Sequence, residues 1–164
     1  MLEDMTHAGE GVLVLVANDD RVLRQMVAQM LELQGYHRFE MAENGQQALA
    51  IPRRTAEPRI LVRDDSMPVM DDPTVLAIIA ADAALCARTA CVFLSSRRPA
   101  SAPALASPAR QPTLPTLPTL PTLSPELEQL LEQLHAAVVI YPFVLGDLLD
   151  AVSAAASRLP PDDA

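Results

Sequence analysis

In Ile60-Leu61-Val62-Arg63-Asp64-Asp65-Ser66-Met67-Pro68-Val69-Met70-Asp71 apolar side chains give way to two adjacent carboxylates and then to a loop. A short aliphatic run that stops at a carboxylate and passes into a proline-containing loop reads as a buried strand delivering Asp64 to its carboxyl end. An earlier run, Val12-Leu13-Val14-Leu15-Val16, is continuous and β-branched, the pattern of a strand covered on both faces in a parallel sheet. We read it as the central strand. It closes on Asn18-Asp19-Asp20, so two strand ends bring oxygen ligands to one place. That is the chemistry of a metal or phosphoryl site.

Outward from these strands the chain keeps alternating. Asp20 is a plausible N-cap for a helix with Leu23, Met26, Val27, Met30 and Leu31 on its apolar stripe, and Gly35 stops it. Tyr36 to Ala42 reads as a more polar strand, and Glu43-Asn44-Gly45 turns into a short helix through Ala48, Leu49 and Ile51 that Pro52 should end early. Asp72-Pro73 supplies an N-cap and a first-turn proline for a helix along Val75, Leu76, Ile78 and Ile79. Ala90 to Leu94 is a fourth strand and Ala137 to Tyr141 a fifth, with helices over Glu126 to Leu134 and Val144 to Leu159. This alternation predicts an α/β fold, a parallel sheet wrapped by helices on both faces. Ligands of such sheets sit beyond the carboxyl ends of the strands, where Asn18, Asp19 and Asp64 lie.

The 164 residues, half of them apolar, are enough for one core, and the balance of 21 acidic against 12 basic residues gives a net charge of -9 that disfavours nucleic acid and anionic membranes as partners. No apolar run approaches the roughly 20 residues of a membrane span, and Met1 to Glu10 lack a signal-peptide pattern, so a cytoplasmic protein is expected. Cys86 and Cys91 form no CxxC, and His7, His37 and His135 are scattered, which leaves neither zinc, redox nor nucleophile constellations.

Four pieces in the right order resemble the receiver domain of two-component response regulators, over nearly the whole chain. They are Val14-Leu15-Val16-Ala17-Asn18-Asp19-Asp20, then Gly35-Tyr36 with Glu43-Asn44-Gly45-Gln46-Gln47-Ala48-Leu49, then Asp64 to Asp71, and finally Tyr141-Pro142-Phe143. The resemblance implies a five-stranded, flavodoxin-like sheet of order 2-1-3-4-5. It makes Asp64 the phosphoryl acceptor, supplied by a sensor histidine kinase or phosphotransfer protein, with a downstream protein target. It implies Mg2+ held by Asp19, Asp64 and the Ser66 backbone carbonyl, hard oxygen ligands that offset the charge of a transferring phosphoryl group. Ser95 takes the place of the switch hydroxyl that turns toward the phosphoryl group, with Ser96 as competitor. A homodimer through the face of helix four, strand five and helix five is a further implied partner.

Three departures mark the chain as atypical. The usual acidic pair after the first strand is Asn18-Asp19, so one carboxylate has become an amide that reaches the metal only through a water and attracts it less, giving a weakened Mg2+ site. Tyr141 replaces the family lysine, offering a neutral hydrogen bond in place of a cation. Asp72 replaces a glycine and reads as a helix cap. Arg63 should point to the opposite face from Asp64 by strand alternation, leaving Arg97 and Arg98 as candidate replacement cations.

Residues 97–124 form a Pro-rich insertion between strand four and helix four, flanked by a receiver core that spans 11–159, with tails at 1–10 and 160–164. Residues 112–123 are four copies of Pro-Thr-Leu, which polyproline II geometry turns into a rod with Leu114, Leu117, Leu120 and Leu123 on one edge. No output domain is visible after the last helix, so a single-domain receiver in phosphorelay signalling is the leading expectation. A phosphorylation-independent pseudo-receiver serving as an interaction or dimerisation module is the alternative. A phosphatase would need Asp-x-Asp, which Asp64-Asp65-Ser66 does not provide. The protein is expected not to be an enzyme.

Overall fold

The computed structural model describes residues 11–65, 67, 69, 70, 72–97 and 122–160. Strands β1 (Leu13–Ala17), β2 (Arg38–Ala42), β3 (Arg59–Asp64), β4 (Thr89–Ser95) and β5 (Ala137–Ile140) alternate with helices α1 (Arg21–Glu32), α2 (Gly45–Arg54), α3 (Asp72–Ala81), α4 (Ala83–Ala87), α5 (Pro125–Gln133) and α6 (Leu145–Ala156). All pairings are parallel, in the order β2-β1-β3-β4-β5. This is the expected sheet, except that β3, not β1, is its middle strand. Both are buried along their whole length, so apolar content separates interior from edge strands but does not rank the interior ones.

Alternation along the strands builds two core layers. Leu15, Ala17, Leu61, Cys91 and Phe93 face one side, where apolar residues of α2, α3 and α5 cover them. Val14, Val16, Ile60, Val62, Val92 and Leu94 face the other, against α1 and α6. Arg63 therefore sits on the opposite face from Asp64, as alternation requires. At the amino end of β3, buried Arg59 donates from Nη2 to the Thr55 hydroxyl at 2.6 Å and the Glu57 carbonyl at 3.0 Å, while its Nη1 lies 3.5 Å from the Glu40 carboxylate.

Asp20 caps α1, its carboxylate accepting the Val22 N–H at 2.8 Å and the Leu23 N–H at 3.3 Å. The helix ends at Glu32, and Gly35 takes a left-handed φ of 92° just beyond it. The buried stripe of α1 is rotated from the expected one: Arg24, Val27, Ala28 and Leu31 point inward, while Leu23 and Met26 are half-buried. Pro52 does not end α2, which runs on to Arg54. Proline removes one N–H near the end of a helix, where few bonds remain to be lost. A short α4 follows α3, capped by Asp82, a signal that the apolar spacing had hidden.

The tails 1–10 and 161–164, residues 98–121, where most of the expected Pro-rich insertion falls, and Ser66, Pro68 and Asp71 lie outside the described residues, as does the side chain of Asp72. Of the Pro-Thr-Leu copies, Leu123 is described, and it is a core residue at 3 % exposure on the α2–α3–α5 side. Ser124 then caps α5, accepting the Leu127 N–H at 3.3 Å.

Candidate functional site

The site forms where β1, β3, β4 and β5 end together. Asn18, directly after β1, is buried and anchored on both sides: its N–H donates to the Ala42 carbonyl at 3.0 Å and its amide oxygen accepts the Asp20 N–H at 2.8 Å. That leaves the amide nitrogen, which donates to Asp64 Oδ2 at 2.9 Å. Arg24 braces this corner from below. Its guanidinium donates to the Asn18 carbonyl at 2.6 Å and pairs with Glu43 at 3.2 Å, tying the β1–α1 loop to the β2–α2 loop.

Asp64 is the last residue of β3 and is buried, with 6 % exposure. Tyr141, just after β5 and before the cis bond to Pro142, donates its hydroxyl to the same Asp64 Oδ2 at 2.9 Å. Its ring stacks at a tilt on Phe143, centroids 5.1 Å apart. Burial raises the Asp64 carboxyl above its ordinary range; the Tyr141 hydrogen bond opposes this and the neighbouring Asp65 adds to it. The Tyr141 phenol is itself pushed up, by burial first and then by the Asp64 charge, so it is a neutral donor at any ordinary pH.

Ser95 ends β4 fully buried, but its hydroxyl does not turn to Asp64. It donates to Asp65 Oδ2 at 2.8 Å, and the same oxygen accepts the Ser96 N–H at 3.0 Å and the Ser96 hydroxyl at 3.2 Å. Arg97, one of the two candidate cations, lies against Asp65 with its Nε 3.5 Å away. Burial alone would raise Asp65, but the Ser95 and Ser96 hydrogen bonds and the Arg97 charge outweigh it and hold the carboxyl below its ordinary range.

Asn18, Asp64 and Tyr141 are thus brought into one hydrogen-bonded unit, and Ser95 is joined to it by the Tyr141 N–H donating to its carbonyl at 2.8 Å. Asp19 is exposed. Asn18 commits its amide oxygen to the Asp20 N–H and presents its N–H to Asp64, and among the described residues no group of three or more His, Cys, Asp or Glu could hold a metal; Ser66, whose carbonyl was the further expected ligand, lies outside the described residues. Two residues escaped the sequence reading. Arg24 lies at helical spacing from Val27, Ala28 and Leu31, which would have placed it on the buried stripe. Asp65 lies one step beyond the Asp64–Leu94 register pair, which would have set it beside Ser95.

A five-stranded parallel sheet of this order, with a buried carboxylate at the end of its middle strand, places the chain in the flavodoxin-like doubly wound class. Residues 14–106 match the model of the response regulator receiver domain, and the chain belongs to that family. None of the curated protein sequences compared with the chain matches it. Among solved structures it is similar to the chemotaxis response regulator CheY4 of Vibrio cholerae, at 21% identity and a TM-score of 0.62, over 88% of this chain and 98% of that one. The receiver domain of the Francisella response regulator 1452 is similar at 19% identity and TM-score 0.62, over 90% and 98%. A putative two-component response regulator with a GGDEF domain aligns at 18% identity and TM-score 0.65, over 94% of this chain and 53% of that one.

Proposed function

We propose that the chain is an atypical receiver in phosphorelay signalling, with Asp64 as a slow phosphoryl acceptor. The observation that supports this most is the placement of Asp64, a buried carboxylate at the carboxyl end of the middle strand, between the ends of β1 and β5. An ionised Asp64 oxygen attacks the phosphorus of a phosphohistidine carried by a sensor kinase or phosphotransfer protein. The P–N bond breaks with its electron pair left on the imidazole, which takes a proton, and an aspartyl phosphate remains. Asn18 and Tyr141 orient the carboxylate as neutral donors, and the output passes by protein contact, in our reading through α5, β5 and α6, where a second copy or a downstream target would dock.

Slowness follows from the same geometry. Two hydrogen bonds on Oδ2 lower the nucleophilicity of the acceptor, and the neutral Tyr141 hydroxyl gives the phosphoryl group no full charge. This favours a second reading, a pseudo-receiver that binds its partner without phosphate. The two are separated by incubating the protein with acetyl phosphate and Mg2+ and measuring intact mass. Phosphoryl incorporation in the native protein and none in Asp64→Asn supports the first reading, with a rate at least tenfold below that of a receiver carrying lysine at the Tyr141 position. No incorporation under any Mg2+ concentration, with partner binding intact, leaves the pseudo-receiver.

A further inference from the structure

We propose that the arginine cluster at the amino edge of the sheet is a docking surface for the chain's own acidic N-terminal tail, residues 1–10, engaged through Glu3, Asp4 and Glu10. The cluster lies at the opposite end of the strands from Asp64, so this inference stands apart from the reading of Asp64 as acceptor.

The chain carries 12 lysine-plus-arginine residues, every one an arginine, against 21 acidic residues. Five of the arginines gather at this edge. Arg38 opens β2, Arg59 opens β3, Arg88 directly precedes β4, and Arg53 and Arg54 close the last turn of α2. Register sets Arg38, Leu13, Arg59 and Thr89 in one row across four strands. At about 4.8 Å per strand that row is only about 14 Å wide. Glu57 pairs with Arg38, and Glu40 lies 3.5 Å from Arg59. Five guanidiniums facing these two carboxylates make a positive patch on a chain whose net charge is -9.

Part of the cluster has structural work. Arg59 donates to the Thr55 carbonyl at 3.3 Å and Arg88 to the Pro52 carbonyl at 3.4 Å, closing the C-terminal end of α2. That work does not involve Arg53 and Arg54, both exposed, and it leaves donors over: Arg88 Nε and the hydroxyl of buried Thr89 have no hydrogen-bond partner. Burial loosens the proton of Arg59, Glu40 and Glu57 oppose this, and the charges of Arg88 and Arg54 add to it. The guanidiniums therefore repel one another, and further carboxylates would relieve that repulsion.

The tail leaves the fold at this patch. Gly11, with a left-handed φ of 86°, accepts the Arg38 Nη1 on its carbonyl at 2.9 Å, which sets Glu10 beside the cluster. Ten extended residues reach about 33 Å, about twice the width of the row, so Glu3 and Asp4 can span to Arg53 and Arg54. The tail itself has no lysine or arginine.

Docking is read by NMR on the full chain, from the tail amides and from the Nε–H groups of Arg54 and Arg88. Arg53→Gln with Arg54→Gln should lower the heteronuclear NOE of the amides of residues 3–10 at least twofold. Glu3→Gln with Asp4→Asn and Glu10→Gln should shift the Arg54 and Arg88 Nε–H resonances. Raising NaCl from about 20 mM to about 500 mM, which shortens the Debye length roughly fivefold, should reproduce that shift in the native chain and add nothing in the neutral-tail variant. Cleavage after Glu10 by a glutamyl endopeptidase, at least threefold faster in the Arg53→Gln, Arg54→Gln variant, gives a second readout. All the substituted residues lie on the surface or in the tail, and an unchanged amide spectrum of the core shows that each variant is folded. Tail amides indifferent to the arginine substitutions, or Nε–H resonances indifferent to the neutral tail, overturn the proposal. So do effects that vanish on tenfold dilution, which assign the patch to the tail of a second copy, and added poly-glutamate that binds equally with the native and the neutral tail, which shows the patch unoccupied.

Discussion

At Asp64 the carboxyl gives up water for neutral donors, the Asn18 amide and the Tyr141 hydroxyl among them, and at Asp65 the carboxyl gives up water for hydrogen bonds from Ser95 and Ser96 and for the Arg97 guanidinium. Neutral donors compensate a buried charge incompletely, so burial raises the proton affinity of Asp64. The linkage is that of an acid with a raised folded pKa. Below the ordinary carboxyl range both folded and unfolded chains are protonated and nothing is lost; as pH rises, the unfolded chain ionises first and stability falls until Asp64 ionises as well. Asp64→Asn escapes this loss while keeping an oxygen for Asn18 and Tyr141. Denaturant unfolding should therefore find it more stable than the native protein by on the order of 1 kcal/mol at pH 7, with the gap closing toward pH 3. An equal gap at both pH values would refute the assignment of the loss to that charge.

At the scale of elements, the site is held by close packing as much as by hydrogen bonds. Gly45 opens α2 against the loop that follows Asp64: a Cβ there would stand 2.8 Å from the Met70 carbonyl and 2.9 Å from Val75 Cγ2. Because one of these neighbours is backbone, Gly45→Ala should cost about 1–3 kcal/mol in chemical denaturation, despite the better helix propensity of alanine. Leu123 anchors the far end of the Pro-rich segment in the core before Ser124 starts α5. Leu123→Ala should cost about 2–4 kcal/mol, whereas a leucine on a solvated rod would cost almost nothing. These elements were legible in unequal degree. The continuous runs of β1, β3 and β4 and the caps at Asp20 and Ser124 announce themselves locally, because burial on both faces and N–H capping are properties of a few adjacent residues. Arg24 on the buried stripe of α1 was missed because its partner Glu43 belongs to the loop after β2, whereas Pro52 was misjudged because it stands near the end of α2, where the loss of one N–H is tolerated.

Across the whole molecule, the sheet interior is reached only by unfolding. Cys91 lies in β4 between β3 and β5, buried among apolar side chains, and burial pushes its thiol up to about 12. Alkylation of Cys91 by iodoacetamide should follow global opening and accelerate with denaturant, while half-exposed Cys86 reacts without it. By the same linkage as for Asp64, stability should drop as pH climbs from about 9 toward 12, where the unfolded thiolate forms and the folded one does not. Rapid labelling of Cys91 in native buffer would contradict this burial.

By itself the sequence determined the class of fold, the order of its elements and the residues delivered to the carboxyl edge of the sheet, since apolar runs, periodicity and caps act over neighbouring residues. Asn18 and Asp64 were found that way, and Tyr141 through the resemblance of Tyr141-Pro142-Phe143 to the receiver family. Which partner each took was decided only in three dimensions. The Asn18 amide oxygen takes the Asp20 N–H two residues on, a local turn bond, but that its nitrogen then meets Asp64 was decided by the pairing of β1 with β3. Ser95 had two carboxylates one residue apart to choose from, and strand alternation with the β3–β4 register gave it Asp65. Hydrogen-bond partners are set by the spatial competition among donors and acceptors that tertiary packing brings together, and no local pattern encodes the outcome.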